Sequence, residues 1–147
     1  MDYISLGYMG IFLAAFIAST LLPAPSELIL IAAFELNFNV YLVILVATIG
    51  NVLGSLTNYY IGYFSHSKRL IKKFKISQSK IDKWTVKSEK YGYWLGLLAW
   101  VPIIGDPLMA IVGFLKVKII PLTITITLGK LTRYSIVALI YFLIQNK

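Results

Sequence analysis

Four ionisable residues stand inside otherwise apolar sequence: Glu27, Asp106, Lys130 and Arg133. An unpaired charge at membrane depth costs about 2.5–3.5 kcal/mol on insertion scales, so each needs a partner or a proton, and such residues are functional by default. Two acids against two cations could form a neutral cluster that rearranges with a substrate. Lys130 and Arg133, in "TLGKLTRYS", are three residues apart and share a helix face. Arg133 keeps its charge and offers a planar fork suited to phosphate, whereas Lys130 acts as a point charge. Burial and a neighbouring cation act on a carboxylate in opposite senses. A Glu27 balanced between the two could carry a proton. The plainer alternatives are that Glu27 and Asp106 are helix N-caps following prolines, and that Lys130 and Arg133 snorkel or pair structurally.

Other chemistries are poorly served. With no cysteine there is no disulfide, thiol nucleophile or thiolate-ligated metal. The single histidine, His66, stands at the edge of an apolar block and reads as a solvated boundary residue. A membrane phosphatase or phosphotransferase would want a histidine nucleophile or a multi-aspartate metal site, so an enzyme is not expected, nor any cofactor.

The elements that must position these residues are membrane segments. Of the 147 residues 59% are hydrophobic and only 14% charged, against about 25% charged in soluble domains, and the mean hydropathy is +0.79. A single membrane domain over 1–147 is the expectation, without a signal peptide, because the N-terminus lacks a basic region and carries Asp2. Four apolar blocks fall at roughly Tyr3–Phe34, Val40–Phe64, Tyr91–Leu115 and Ile119–Ile144. The second and fourth are long enough for spanning helices. The first and third are broken, by Pro23, Pro25 and Glu27 in one and by Pro102, Gly105, Asp106 and Pro107 in the other. The arms beyond each break, Leu28–Phe34 and Leu108–Leu115, cannot cross a hydrocarbon core of about 30 Å. Re-entrant hairpins fit, their tips enclosed by protein or a water-filled cavity.

Shifting the sequence by 79 residues places Pro23 on Pro102, Glu27 on Asp106, Thr48 on Thr127 and Gly50 on Gly129. Each half then reads as a broken hairpin, a short loop and a full span, giving repeat 1 at about 3–64 and repeat 2 at about 91–145. One span between the hairpins makes the repeat inverted, which is how many secondary transporters build a midplane site. Gly50, Gly54 and Gly129 read as close-packing sites, and Asn51 and Asn58 as polar lining. Tyr91, Tyr93, Trp94 and Trp100 read as an interfacial belt.

The connector, about 65–90, holds nine of the fourteen basic residues between Lys68 and Lys90, whereas 1–67 holds none. The positive-inside rule makes it cytoplasmic, with Lys116 and Lys118 on the same side and both termini outside. Ser79 could cap a helix carrying Ile81, Trp84 and Tyr91 on one stripe, and Leu70, Ile71 and Phe74 form a second. An amphipathic segment lying on an anionic leaflet is expected. A nucleic-acid partner is not expected.

The stretches "STLLPAPSELIL", "TIGNVLGSLTNYYIG", "WVPIIGDPLMAIVGF" and "LGKLTRY" resemble, in order and spacing, the YqaA-like branch of the DedA superfamily of VTT-domain, or SNARE-associated, membrane proteins. The resemblance covers nearly the whole chain. It implies facing re-entrant hairpins in an inverted repeat, a bacterial inner-membrane location and lipid translocation: undecaprenyl phosphate with dependence on the proton motive force in bacterial members, phospholipid scrambling in eukaryotic relatives. Typical DedA proteins carry Arg-Phe-x-Pro-x-x-Arg in the second hairpin. Here Ala99 to Gly105 replace it without either arginine, and Asp106 follows.

The expected protein is therefore an all-α inner-membrane transporter of a lipid with an anionic phosphate head. Arg133 and Lys130 would bind the head, with Glu27 and Asp106 gating it. A homodimer would enlarge the small enclosed surface. The rivals are a proton-coupled cation exchanger and a non-transporting scaffold or assembly factor.

Overall fold

The computed structural model describes residues 3–20, 25–65, 77–101 and 104–146. Pro23, Pro102, His66, the stripe of Leu70, Ile71 and Phe74, and the basic residues from Lys68 to Lys75 lie outside the described residues. All regular elements described are helical: α1 Tyr3–Thr20, α2 Glu27–Glu35, α3 Val40–Ser65, α4 Gln78–Tyr91, a 3₁₀ helix Gly92–Trp100, α5 Gly105–Phe114 and α6 Ile119–Gln145. Three of them, α1, α3 and α6, are long and apolar enough to cross a membrane.

Local chemistry sets the boundaries. Pro107 and Pro121 fall in the first turns of α5 and α6, where a missing N–H removes no helical bond. The two short helices end alike, 79 residues apart. Asn37 and Lys116 take left-handed backbone, with φ of 59° and 54°. Phe38 N–H reaches back to the Ala33 carbonyl and Asn37 N–H to Phe34, as Val117 does to Val112 and Lys116 to Gly113. These are Schellman closures, which satisfy carbonyls that a helix end leaves bare. Asn39 then opens α3, its Oδ1 accepting from the Tyr41 and Leu42 N–H groups.

At 1.5 Å per residue α1 is about 27 Å long, and nine 3₁₀ residues cover about 18 Å. The first arms of the two broken blocks thus differ: Gly96 lets the second press its backbone onto α6, while Gly92 abuts the Val117 side chain in the link before α6. A Cβ at Gly96 would meet the Leu122 side chain and carbonyl at 3.1 Å. Beyond the breaks, α2 and α5 are short.

The packing interleaves the halves. The first arms lie on the long helices that follow them, α1 on α3 and the 3₁₀ helix on α6, while α5 packs on α3, α2 on α6, and α3 on α6. One apolar core gathers Ala15, Leu30, Val43, Ala47 and Tyr134, the other Tyr59, Met109, Leu122 and Ile126. Both therefore draw on both halves. Backbones meet closely where α3 and α5 cross: a Cβ on Gly62 would run into the Ala110 carbonyl, and one on Gly113 into that of Tyr59.

The connector corrects one expectation. Its helix begins at Gln78, so the cap position is Ser77 rather than Ser79. Ser77 makes no side-chain cap bond, because its hydroxyl pairs with that of Ser79 at 2.9 Å. Trp84 and Tyr91 are both exposed.

Candidate functional site

α6 supplies both intramembrane cations, and each reaches a different acid. Lys130 Nζ lies 2.8 Å from Asp106 Oδ1 at the start of α5. Arg133 pairs with Glu27 at the start of α2, its Nε donating to Oε1 at 2.7 Å and its Nη2 meeting the same oxygen. Asp106 and Glu27 side chains are 20% and 21% exposed, Lys130 is 0% and Arg133 10%. Of the plainer alternative for the two cations, snorkelling fails and pairing holds: both point into protein, where acids neutralise them. The N-cap alternative also fails. The cap positions are Ser26 and Ile104, and neither makes a side-chain cap bond. Glu27 and Asp106 sit inside the first turns, near the positive dipole ends, with their carboxylates bonded to α6.

Around Lys130 the oxygens are dense. Its ammonium donates to Asp106 Oδ1, to Asn51 Oδ1 and, at 3.4 Å, to Ser19 Oγ. Asp106 Oδ1 also accepts from Ser19 at 2.7 Å and Ser55 at 2.5 Å. Asn51 Nδ2 donates to the Ala15 carbonyl at 2.9 Å. Asn58 Nδ2 bridges the Ser19 and Asp106 carbonyls at 2.8 and 3.2 Å. Asn51, Ser55 and Asn58 recur at helical spacing, so α3 turns one polar face to this cluster. Asn51 and Lys130, which touch, are themselves 79 residues apart.

Around Arg133 the bonding is looser. Nη2 donates to Ser26 Oγ at 3.2 Å, Nη1 to the Trp100 carbonyl at 3.4 Å, and the Tyr134 hydroxyl to Ser26 Oγ at 2.9 Å. This explains why Ser26, a good capping residue, does not cap. Glu27 Oε2 is buried with no hydrogen-bond partner. A groove of about 430 Å³ leads away between α2 and α6, from Glu27 past Ile31, Val137 and Ile140 to Glu35 and Tyr141. At its far end the Tyr141 hydroxyl donates to Glu35 at 2.8 Å.

Of the other expected residues, Gly50 and Gly54 face α1: a Cβ on Gly54 would lie 2.7 Å from the Phe16 carbonyl. Gly129 faces the 3₁₀ helix, 3.2 Å from the Leu97 carbonyl. Pro25 precedes α2, and Gly105 and Pro107 open α5. Ser19, Ser26, Ser55 and Tyr134 were not anticipated. The signal for Ser55 was its register between Asn51 and Asn58; Ser26 and Tyr134 each adjoin a charge.

The VTT domain profile matches residues 22–143. The Escherichia coli K12 protein named inner membrane protein YqaA is 33% identical over 135 residues, covering 91% of this chain and 90% of its own length. An uncharacterised Haemophilus influenzae protein is 36% identical over 139 residues, 88% of this chain and 83% of its own. One from Methanocaldococcus jannaschii is 30% identical over 139 residues, 93% and 85% respectively. No solved structure matches.

Proposed function

The chain belongs to the VTT-domain (DedA) family and is YqaA-like, and from that premise we propose that it is a membrane transporter moving a lipid with an anionic phosphate head. The observation that carries this reading is the Glu27–Arg133 pair at one end of an apolar groove that opens on the flank between α2 and α6. A lipid tail fits walls of Ile31, Val137 and Ile140, and its phosphate would compete with Glu27 for the Arg133 fork. A carboxylate parted from its cation at that depth is costly. Exchange at Arg133 would therefore draw a proton onto Glu27, which couples the head group to a proton.

The same reading includes an inverted repeat of re-entrant hairpins. It is supported by the paired Schellman closures, by the interleaved packing and by the Asn51–Lys130 contact, since equivalent residues touch only near a pseudo-two-fold axis. The basic connector and Lys116 would face the cytoplasm of a bacterial inner membrane. A homodimer and an undecaprenyl phosphate or phospholipid substrate remain part of the proposal, as does a non-enzymatic role. A cation exchanger is less well supported, because the Lys130 ammonium already occupies the oxygen-lined place a cation would take.

The test is translocation of undecaprenyl phosphate and common phospholipids in proteoliposomes, with and without a pH gradient. Wild type should move one of them; Glu27→Gln should lose the gradient dependence and Arg133→Ala the flux, with both inserted normally. A wild-type protein that moves no lipid under any gradient sinks the reading and leaves the scaffold alternative.

A further inference from the structure

A second groove, remote from the ion pairs in composition, runs where α4 meets the 3₁₀ helix and α5. It holds about 600 Å³, within the usual range for small-molecule sites. Part of its wall is aliphatic, from Leu95 and the exposed Ile111. Its rim comes from one face of α4, Lys80, Trp84, Lys87 and Tyr91, which recur at intervals of three and four residues. The two acids of α4, Asp82 and Glu89, do not line it. Ser88 links α4 to the end of α5: its one hydroxyl hydrogen is shared between the Thr85 carbonyl at 2.9 Å and the Leu115 carbonyl at 3.3 Å. Lys87 stands over the Trp84 ring, 5.7 Å from its centroid, while that ring is 60% exposed.

We infer that this groove binds one anionic glycerophospholipid, with an acyl chain along Leu95 and Ile111 and the phosphate between Lys80 and Lys87. The chemistry is divided as such a lipid requires. The aliphatic side chains favour hydrocarbon. The described residues of the rim include two cations and no acid. The aromatic rings supply the amphipathic layer that sits at head-group depth. Lys80 and Lys87 are two helical turns apart, about 10 Å along the axis. Their long stems let both ammonium groups converge on one head while the methylenes stay on the apolar wall. A zwitterionic head would bring its own cation to this rim and gain less. The site uses none of Glu27, Asp106, Lys130 or Arg133, so it stands or falls separately from the transport reading.

Trp84 is one of three tryptophans, so Trp94→Phe with Trp100→Phe leaves it as the sole reporter. This protein is reconstituted in phosphatidylcholine vesicles containing brominated phosphatidylglycerol or, in parallel, brominated phosphatidylcholine. Each lysine near an anionic lipid is worth about 1 kcal/mol, or about fivefold. With two lysines, Trp84 should therefore be quenched at a mole fraction of brominated phosphatidylglycerol lower by about 25-fold. Lys80→Gln with Lys87→Gln should abolish that preference. Lys83→Gln with Lys118→Gln, the same charge loss at residues that do not line the groove, should keep it, and Glu27→Gln should not affect it. Equal quenching by the two lipids overturns the site. So does an equal loss of preference in both lysine pairs, which would show only general attraction to a charged surface.

Discussion

Replacing Lys130 with Met keeps the length of an unbranched side chain and removes its charge. In the structure this strips Asp106 Oδ1 of its one cation among the described residues, leaving two hydroxyl donors, and takes the Lys130 donor from Asn51 Oδ1. Two estimates compete. If only hydrogen bonding matters, three interhelical bonds at about 0.6 kcal/mol each in a membrane protein sum to about 2 kcal/mol. If the buried charge matters, removing one partner of a buried pair costs about 3–5 kcal/mol. The full enclosure of Lys130 favours the larger figure. Against a total stability of about 5–15 kcal/mol, that is a large fraction. The estimates separate in the double variant Lys130→Met/Asp106→Asn, which removes both charges while an amide oxygen still accepts from Ser19 and Ser55. It should recover about 2 kcal/mol or more of the single loss, a coupling that double-mutant cycles resolve. Unfolding in detergent, followed by tryptophan fluorescence, measures wild type, Lys130→Met, Asp106→Asn and the double variant. A Lys130→Met protein within about 1 kcal/mol of wild type would refute the charge argument, and so would a double variant whose loss is the sum of the singles.

Three further outcomes are expected. Because the chain lacks cysteine, Asn37→Cys and Lys116→Cys give unambiguous labelling, and the inverted-repeat reading requires a membrane-impermeant reagent to reach them from opposite sides; labelling from one side sinks that topology. Gly62→Ala and Gly113→Ala force apart the α3–α5 backbones and should each cost about 1–3 kcal/mol of stability, whereas Gly10→Ala, with open space beside it, should gain up to about 1 kcal/mol in the same unfolding assay. Tyr59→Phe deprives the buried Val117 carbonyl of a 2.6 Å bond from the Tyr59 hydroxyl and should cost about 1–3 kcal/mol; a neutral result would mean that the carbonyl finds another donor.

What could be read from the sequence was what punctuates an apolar chain. Proline beside an acid marks a helix start whatever the tertiary fold, so α2 and α5 were legible, as were the long apolar runs of α3 and α6. The equal spacing of Glu27 to Asp106 and of Gly50 to Gly129 pointed to related halves. The partner of each charge was not legible. Lys130 and Arg133 share a face by spacing, yet one turns to α5 and the other to α2, a choice made by the packing of α6 between them. The 3₁₀ form of Gly92–Trp100 was hidden too. Within it Gly96 meets α6 and Gly92 meets Val117, and a glycine's sequence position does not say what it touches. Likewise the Ser77 cap position was missed because Ser77, Ser79 and Gln78 all suit a helix start, and the local pattern cannot choose among them.

The two ion pairs are chemically similar and differ in what bonding capacity they leave unused. An ammonium has three N–H groups, and Lys130 has three acceptors, on α1, α3 and α5. It is saturated, and it ties four helices at one point, since α6 carries it. A guanidinium has five N–H groups; Arg133 commits them to Glu27, Ser26 and one long contact to Trp100, and Glu27 keeps a buried oxygen unpartnered. A site that must exchange partners needs that spare capacity, and a site that must hold a fold together does not. The groove reaches Glu27 and not Asp106. The division of labour that follows is that Lys130–Asp106 fixes the crossing of the two halves, while Arg133–Glu27 is where a charged head group would be taken up. Substitutions at the first pair should then show as lost stability, and at the second as lost flux in a protein that still folds.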